Sequence, residues 1–391
     1  FSEIGAHAAK KQMIIKHPII ARILACFFLF QLVAVAAQAA GSTGPLKVFL
    51  LSGQSNMTGR GRLANTDHQG ERLPLEKQQA TLFGFVNQPD NRDLHRSLRE
   101  GAKRTDAGWT IRDDVYITTG EWPHRKPGEE GYDAKRKHGG LAPGYGGRRG
   151  RGFGPELAIG HLLGDHYEQP VLLIKVAFGG NSLAKDFRPP SSAGATGDKY
   201  VKLLQGYREA LAHLPEIIPD YDPDQGHELV GFFWNQGLSD LSASRAQEYE
   251  GNLINLIHDL RRDLKAPDLK TVVAVTGNWG WGTKRYQAHL EDYAANKGIP
   301  LDRFMRERGQ EFLGSMEAIR RAQVAVPERA EFKDTVATAE TRDFWRPREQ
   351  YGGHGTWSHW NANAESYWRI GESMGQTMIQ LLQRQPSTPA K

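Results

Sequence analysis

The chain has 391 residues, of which 39% are hydrophobic and 24% charged, and its formal net charge is +5. That length and apolar content support a substantial core in one α/β domain or two. The composition is that of an ordinary globular protein, and so small a charge for the length makes no case for nucleic acid as a partner.

In chain order, Lys16 and Arg22 precede an apolar run from Ile23 to Ala37, and Ala37-Gln38-Ala39 has the small-x-small form of a signal-peptidase site. Residues 1–40 are therefore expected to be an upstream extension and signal peptide, with export to the periplasm or the medium. The run is shorter than the roughly 20 residues that span a bilayer, so no stable membrane insertion is expected after signal removal. Cys26 is the one cysteine and lies inside this segment, which leaves an exported chain without disulfides.

The next feature is an apolar strand, Leu46 to Leu51, that runs into Ser52-Gly53-Gln54-Ser55-Asn56-Met57. A buried strand ending in a sharp glycine turn lifts a serine out of the sheet, and amides just after it can meet an anion. A capping serine in an ordinary βα turn has the same local pattern. From about Leu63 to Arg151 the chain is rich in Gly, Arg, Lys, Asp and Pro, as in Gly146-Gly147-Arg148-Arg149-Gly150, and reads as a long irregular insertion. Its basic run is read as a solvated loop in preference to a polyanion site.

Regular periodicity resumes with a helix after Pro155, a near-continuous apolar strand over Val171 to Ala177, and a helix over Tyr200 to Leu214. A strand over Leu229 to Trp234, a helix over Ala246 to Leu264 and a strand over Thr271 to Thr276 continue the alternation. A helix near Gln310 to Val326, a short strand over Thr335 to Ala339 and a last helix over Ala362 to Gln383 close it, with residues 385–391 as a frayed tail. This alternation predicts a doubly wound three-layer α/β/α sandwich on a mainly parallel sheet, as one domain over residues 41–384.

Catalytic groups in such a fold collect on the loops that follow the strands. The first such loop carries Gly53-Gln54-Ser55-Asn56-Met57-Thr58-Gly59-Arg60-Gly61, and the second Phe178-Gly179-Gly180-Asn181-Ser182. The third reads Trp234-Asn235-Gln236-Gly237-Leu238-Ser239-Asp240, and the segment before the last helix Thr356-Trp357-Ser358-His359-Trp360-Asn361. In this order the blocks resemble those of SGNH-type esterases, and among them the family 6 carbohydrate esterases and the sialic-acid-specific acetylesterase domain.

The resemblance implies Ser55 as nucleophile and oxyanion donors from the Ser55 amide, Gly179 or Gly180, and the Gln236 side chain. It implies His359 as base, with His354 in reserve and Asp240 as the nearby acid, although Asp240 also fits a helix cap. Gln54, Asn56, Arg188 and Trp360 are candidate substrate-binding residues; Arg188 alternatively pairs with Asp186. The sequence departs from its relatives twice: Leu238 replaces a common glutamate, and the usual Asp-x-x-His becomes Thr356-x-x-His359. Asp240, Glu340, Asp343 or a backbone carbonyl remain to orient the imidazole from elsewhere in space.

Tryptophans 234, 279, 281, 345, 357 and 360 cluster near these blocks, where indoles either stack on sugars or fill the core. The expected function is an exported serine esterase that removes O-acetyl groups from a carbohydrate with no metal or cofactor. A decayed carbohydrate-binding protein on the same scaffold is the alternative.

Overall fold

The apolar runs of the sequence lie side by side as strands. The computed structural model describes residues 44–64, 71–119, 138–147, 152–281, 290–291, 294–295, 298–351 and 356–384. The expected signal segment with Cys26, the reserve base His354, parts of the Gly/Arg-rich stretch and the tail lie outside them.

Seven strands form the main sheet: β1 Leu46–Gly53, β3 Val115–Thr119, β4 His138–Gly140, β6 Val171–Ala177, β7 His227–Asn235, β8 Lys270–Ala274 and β9 Val336–Ala339. Their order is β4-β3-β6-β1-β7-β8-β9, and every pairing is parallel except that of β4 with β3. A separate two-strand ribbon joins β2 Gly61–Arg62 to β5 Gly152–Phe153. The principal helices are α1 Ser55–Thr58, α2 Arg92–Arg99, α3 Glu156–His166, α4 Asp198–Ala212, α5 Ala243–Asp263, α6 Gln310–Ala325 and α7 Ala364–Leu382.

Strand alternation divides the core in two. Phe49 and Leu51 of β1 join Leu173, Phe233 and Val272 beneath α3 and α7, whereas Val48 and Leu50 join Leu172, Ile174, Phe232 and Val273 beneath α4 and α5. A strand apolar on both faces needs helices on both, and this is the expected three-layer sandwich. Each fully buried Leu, Ile, Val or Phe in these layers contributes about 1.5–3 kcal/mol through removal of apolar surface from water.

The stretch from Leu63 to Arg151 departs from the expected irregular insertion. It contributes short helices, α2, and the strand β3, which pairs in parallel with β6 inside the main sheet. Val115 and Ile117 of β3 are fully buried, so part of the stretch belongs to the core.

The central strand β1 is flanked by β6 and β7, and the chain passes from one side of it to the other between those two strands. That crossing is a topological switch point, and the loops after β1, β6 and β7 meet at its carboxyl end.

Candidate active site

Ser55 follows β1 by two residues and opens α1, with 5% of its surface exposed. Gly53 makes this turn possible: its φ is +144°, and a Cβ there would lie 2.1 Å from the Asn235 carbonyl oxygen. Gly59 ends α1 with φ +86°, where a Cβ would lie 2.3 Å from the Gly154 nitrogen. The two glycines let the Ser55 turn sit directly on its neighbours.

Gly179 borders the serine, since a Cβ built on it would lie 3.6 Å from Ser55 Cβ. Gly179 and Gly180 are exposed, and the Asn181 side chain donates to the Gly179 carbonyl at 2.8 Å. The loop after β6 therefore approaches the Ser55 turn at Gly179.

The third block is hydrogen-bonded differently from the expected free oxyanion donor. Gln236 Nε2 donates to Asp240 Oδ2 at 2.6 Å and to the Asn181 carbonyl at 3.2 Å, which commits both of its N–H groups. With both taken, the side chain presents no free donor to an oxyanion, and its Oε1 is buried without a hydrogen bond. Asp240 also accepts from the amides of Leu183 and Ala184 at 2.8 and 2.9 Å. Burial pushes the Asp240 carboxyl above its ordinary value, against the opposing pull of those amides and of Gln236. Asp240 thus ties the loop after β7 to the loop after β6, and its carboxylate does not meet the His359 ring.

The other expected carboxylates are spent elsewhere. Glu340 pairs with Arg342 at 2.6 Å, and Asp343 accepts from Trp281 Nε1 at 2.6 Å. One partner of His359 comes from its own loop: Thr356 Oγ1 lies 3.1 Å from His359 Nδ1 and 2.8 Å from Ser358 Oγ. Past His359, residues Trp360, Asn361 and Ala362 take φ of 52°, 54° and 55°, a left-handed turn of three non-glycine residues before Asn363 caps α7. Among the hydrogen bonds of the described residues, none joins Ser55 to His359.

Two expected substrate ligands prove to be braces. Gln54 Oε1 accepts from the amides of Gly237 and Ser239 at 3.1 and 3.0 Å, fixing the loop after β7. Asn56 donates to the Ser358 carbonyl at 3.1 Å and accepts from the Tyr367 hydroxyl at 2.9 Å. Together with Asn278, which donates to the Trp357 carbonyl at 2.8 Å, Asn56 holds the histidine loop against the nucleophile turn.

Arg188 is likewise occupied, with Glu248 at 2.9 Å and the Ala184 and Ala193 carbonyls as its partners. Its expected alternative mate, Asp186, accepts from the Ser182 amide and hydroxyl instead. Trp360 is buried against Trp345 and borders a narrow cleft with Gln54, Asn56 and Gln236. Trp234 is a core residue, as its position on β7 suggests, and Trp279 stacks on Trp357 with ring centroids 4.3 Å apart. Trp281 alone of the cluster is well exposed, at 60%, with the Arg342 guanidinium 3.5 Å from its ring centroid.

Arg60 has a place that sequence reading missed. Its Nη2 would lie 3.9 Å from a Cβ on Gly179, its Nε is buried without a hydrogen bond, and it joins no ion pair among the described residues. The signal was the Thr58-Gly59-Arg60-Gly61 tail of the serine block, which carries a cation to the side of Gly179. Among the described residues no cluster of His, Cys, Asp and Glu suits a metal ion, and no helix is long and apolar enough to cross a membrane.

Residues 119–305 match the family described as SASA, carbohydrate esterase, sialic acid-specific acetylesterase. The match bears out the carbohydrate O-acetylesterase reading. It takes in the loops after β6 and β7, while Ser55 and His359 of this esterase lie outside the matched span. A probable carbohydrate esterase of Arabidopsis thaliana is 26% identical over 271 residues, which are 66% of this chain and 82% of that protein.

Among solved structures, a protein from Arabidopsis thaliana has a TM-score of 0.47 at 16% identity and covers 86% of this chain and 98% of its own. NanS has a TM-score of 0.46 at 15% identity, covering 87% and 98%. A carbohydrate acetylesterase from Xanthomonas citri has 0.42 at 11%, covering 77% and 50%.

Proposed function

We propose that this esterase is exported and removes O-acetyl groups from a carbohydrate, an acetylated polysaccharide or a sialic acid, through an acyl-enzyme on Ser55. The observation that supports the reading is the approach of Gly179 to Ser55 at the carboxyl ends of β1 and β6, where a Cβ on Gly179 would lie 3.6 Å from Ser55 Cβ.

In this scheme Ser55 Oγ attacks the acetyl carbonyl carbon, and its proton passes to His359 Nε2. The carbonyl oxygen becomes an oxyanion facing the Ser55 and Gly179 amides, with Gly180 adjacent. Collapse of the tetrahedral intermediate expels the sugar hydroxyl, which takes the proton back from His359. Water then repeats the sequence on the acetyl-serine, releasing acetate and restoring the free hydroxyl.

Gln236 and Asp240 serve this chemistry as a buried strut between the two strand-end loops, and Gln54 and Asn56 as braces of the serine turn. Three of these four residues tie Ser55's own turn or its oxyanion loop to another strand end, which restricts motion of the reacting groups.

The test is hydrolysis of a simple aryl acetate and of an O-acetylated sugar. Ser55→Ala is expected to lower kcat by about 10⁵-fold or more on both, as removal of a nucleophile does elsewhere. Undiminished turnover in the variant would remove the acyl-enzyme assignment.

A further inference from the structure

Three residues before His359 stands a threonine whose hydroxyl lies 3.1 Å from the imidazole Nδ1. We infer that Thr356 is a positioning residue for the base, taking the N–H of His359 Nδ1 in place of a carboxylate. The inference rests on the reading of His359 as base given above.

The geometry holds the pair from both sides. The Thr356 carbonyl accepts from the His359 amide at 2.9 Å and from the Asn361 amide at 3.1 Å, so the two residues are locked in one short turn. The Thr356 hydroxyl bridges His359 Nδ1 and Ser358 Oγ. When Thr356 donates its hydrogen to Ser358, its lone pairs face Nδ1 and accept that N–H. Nε2 is then the unprotonated nitrogen, which is the tautomer able to take the Ser55 proton.

No bond to Thr356 forms or breaks in the step. The proton moves between Ser55 Oγ and His359 Nε2, and the Nδ1 hydrogen stays on its nitrogen throughout.

A hydroxyl differs from a carboxylate in two ways that set the enzyme's rate. It carries no charge to stabilise the imidazolium formed in the transition state. It also donates as readily as it accepts, so when Ser358 donates to Thr356 the hydroxyl turns its hydrogen to Nδ1 and selects the opposite tautomer. Thr356 therefore works as a partial substitute, and a carboxylate in the same slot should improve on it.

Three variants test this on an aryl acetate, with kcat and KM measured separately and folding checked by thermal melting. Thr356→Ser, which keeps the hydroxyl, is expected to stay within about threefold of the parent in kcat. Thr356→Val keeps the shape and removes the acceptor, and should lower kcat about tenfold or more while KM moves less than about twofold. Thr356→Asp, which can only accept, should raise kcat about tenfold, because loss of a correctly oriented carboxylate in related triads costs up to about 10⁴-fold.

The inference is overturned if Val and Ser behave alike or if Asp lowers kcat. Should the Val variant fail to fold, the Ser and Asp variants decide. These outcomes are separable from failure of the esterase reading, which Ser55→Ala reports independently.

Discussion

Arg60 stands beside Gly179 with its Nε buried and no counter-ion among the described residues. A permanent cation at the edge of the site is worth more where water is excluded, because the effective dielectric falls from about 80 toward about 20. Since the oxyanion is expected between the Ser55 and Gly179 amides, the guanidinium adds positive potential where negative charge develops. Arg60→Met is expected to lower kcat about tenfold on an uncharged aryl acetate with a smaller effect on KM, and steady-state kinetics check it. An equal rise in KM with kcat unchanged would instead assign Arg60 to ground-state binding.

Among single residues, Ser55, Gly179 and Thr356 were legible in the sequence as positions, and their partners were not. Gln236 illustrates why: its motif suggests a free carboxamide, yet Asn181 and Asp240 take both N–H groups, and Asn181 lies 55 residues away. Asp240 satisfies amides 56 and 57 residues distant, contacts that no local spacing encodes.

At the scale of elements, the Ser55 turn, the end of the two-strand ribbon and the strand β6 meet over one buried ion pair. Lys175 Nζ lies 3.0 Å from Glu156 Oε2 and donates to the carbonyls of Tyr145 at 2.8 Å and Thr58 at 3.3 Å. Glu156 Oε1 accepts from the Gly154 amide at 2.8 Å. Burial favours loss of the Lys175 charge, opposed by Glu156 beside it.

Removing one partner of such a pair leaves an uncompensated buried charge, which costs about 3–5 kcal/mol. Lys175→Met should therefore lose about that much stability in urea unfolding, and adding Glu156→Gln should restore part of it. Additive losses in the double variant would show that the two groups do not act as a pair.

The elements themselves divide by how strongly sequence marks them. The strands β6 and β7 are long apolar runs, and α3 and α5 to α7 carry sustained helical periodicity, so their positions agree with expectation to within a few residues. β3 is five residues, Val-Tyr-Ile-Thr-Thr, set among glycines and charges, and only its pairing with β6 shows it to be a core strand. The left-handed turn over residues 360–362 was equally unreadable, because Trp360 and Ala362 carry no signal for positive φ and Asn361, which tolerates it, stands between them.

For the molecule as a whole, the doubly wound sheet was legible because its alternation of strand and helix leaves few topologies open. One buried group also couples global stability to pH. His161 on α3 packs against Trp368 of α7, its Nδ1 lies 3.0 Å from the Ser97 hydroxyl of α2, and burial lowers its pKa to about 4, with Arg112 adding to the shift.

The folded pKa lies below the unfolded value of about 6.5, so protonation favours the unfolded chain. The contribution of neutral His161 is complete above pH 6.5 and is lost as pH falls toward 4, amounting to about 3 kcal/mol at pH 4. Urea unfolding at pH 7 and pH 4 should show that His161→Gln narrows the stability difference between the two pH values by about this amount. An unchanged difference would show that His161 does not carry the pH dependence.

The account of the whole molecule turns on Ser55 as a reactive nucleophile. Its most direct measurement is treatment of the folded protein with an organophosphonate, followed by mass mapping of the adduct. One adduct per chain is expected, located on Ser55, with loss of aryl acetate hydrolysis in proportion to labelling. Absence of an adduct, or an adduct on another residue that alone abolishes turnover, would contradict it.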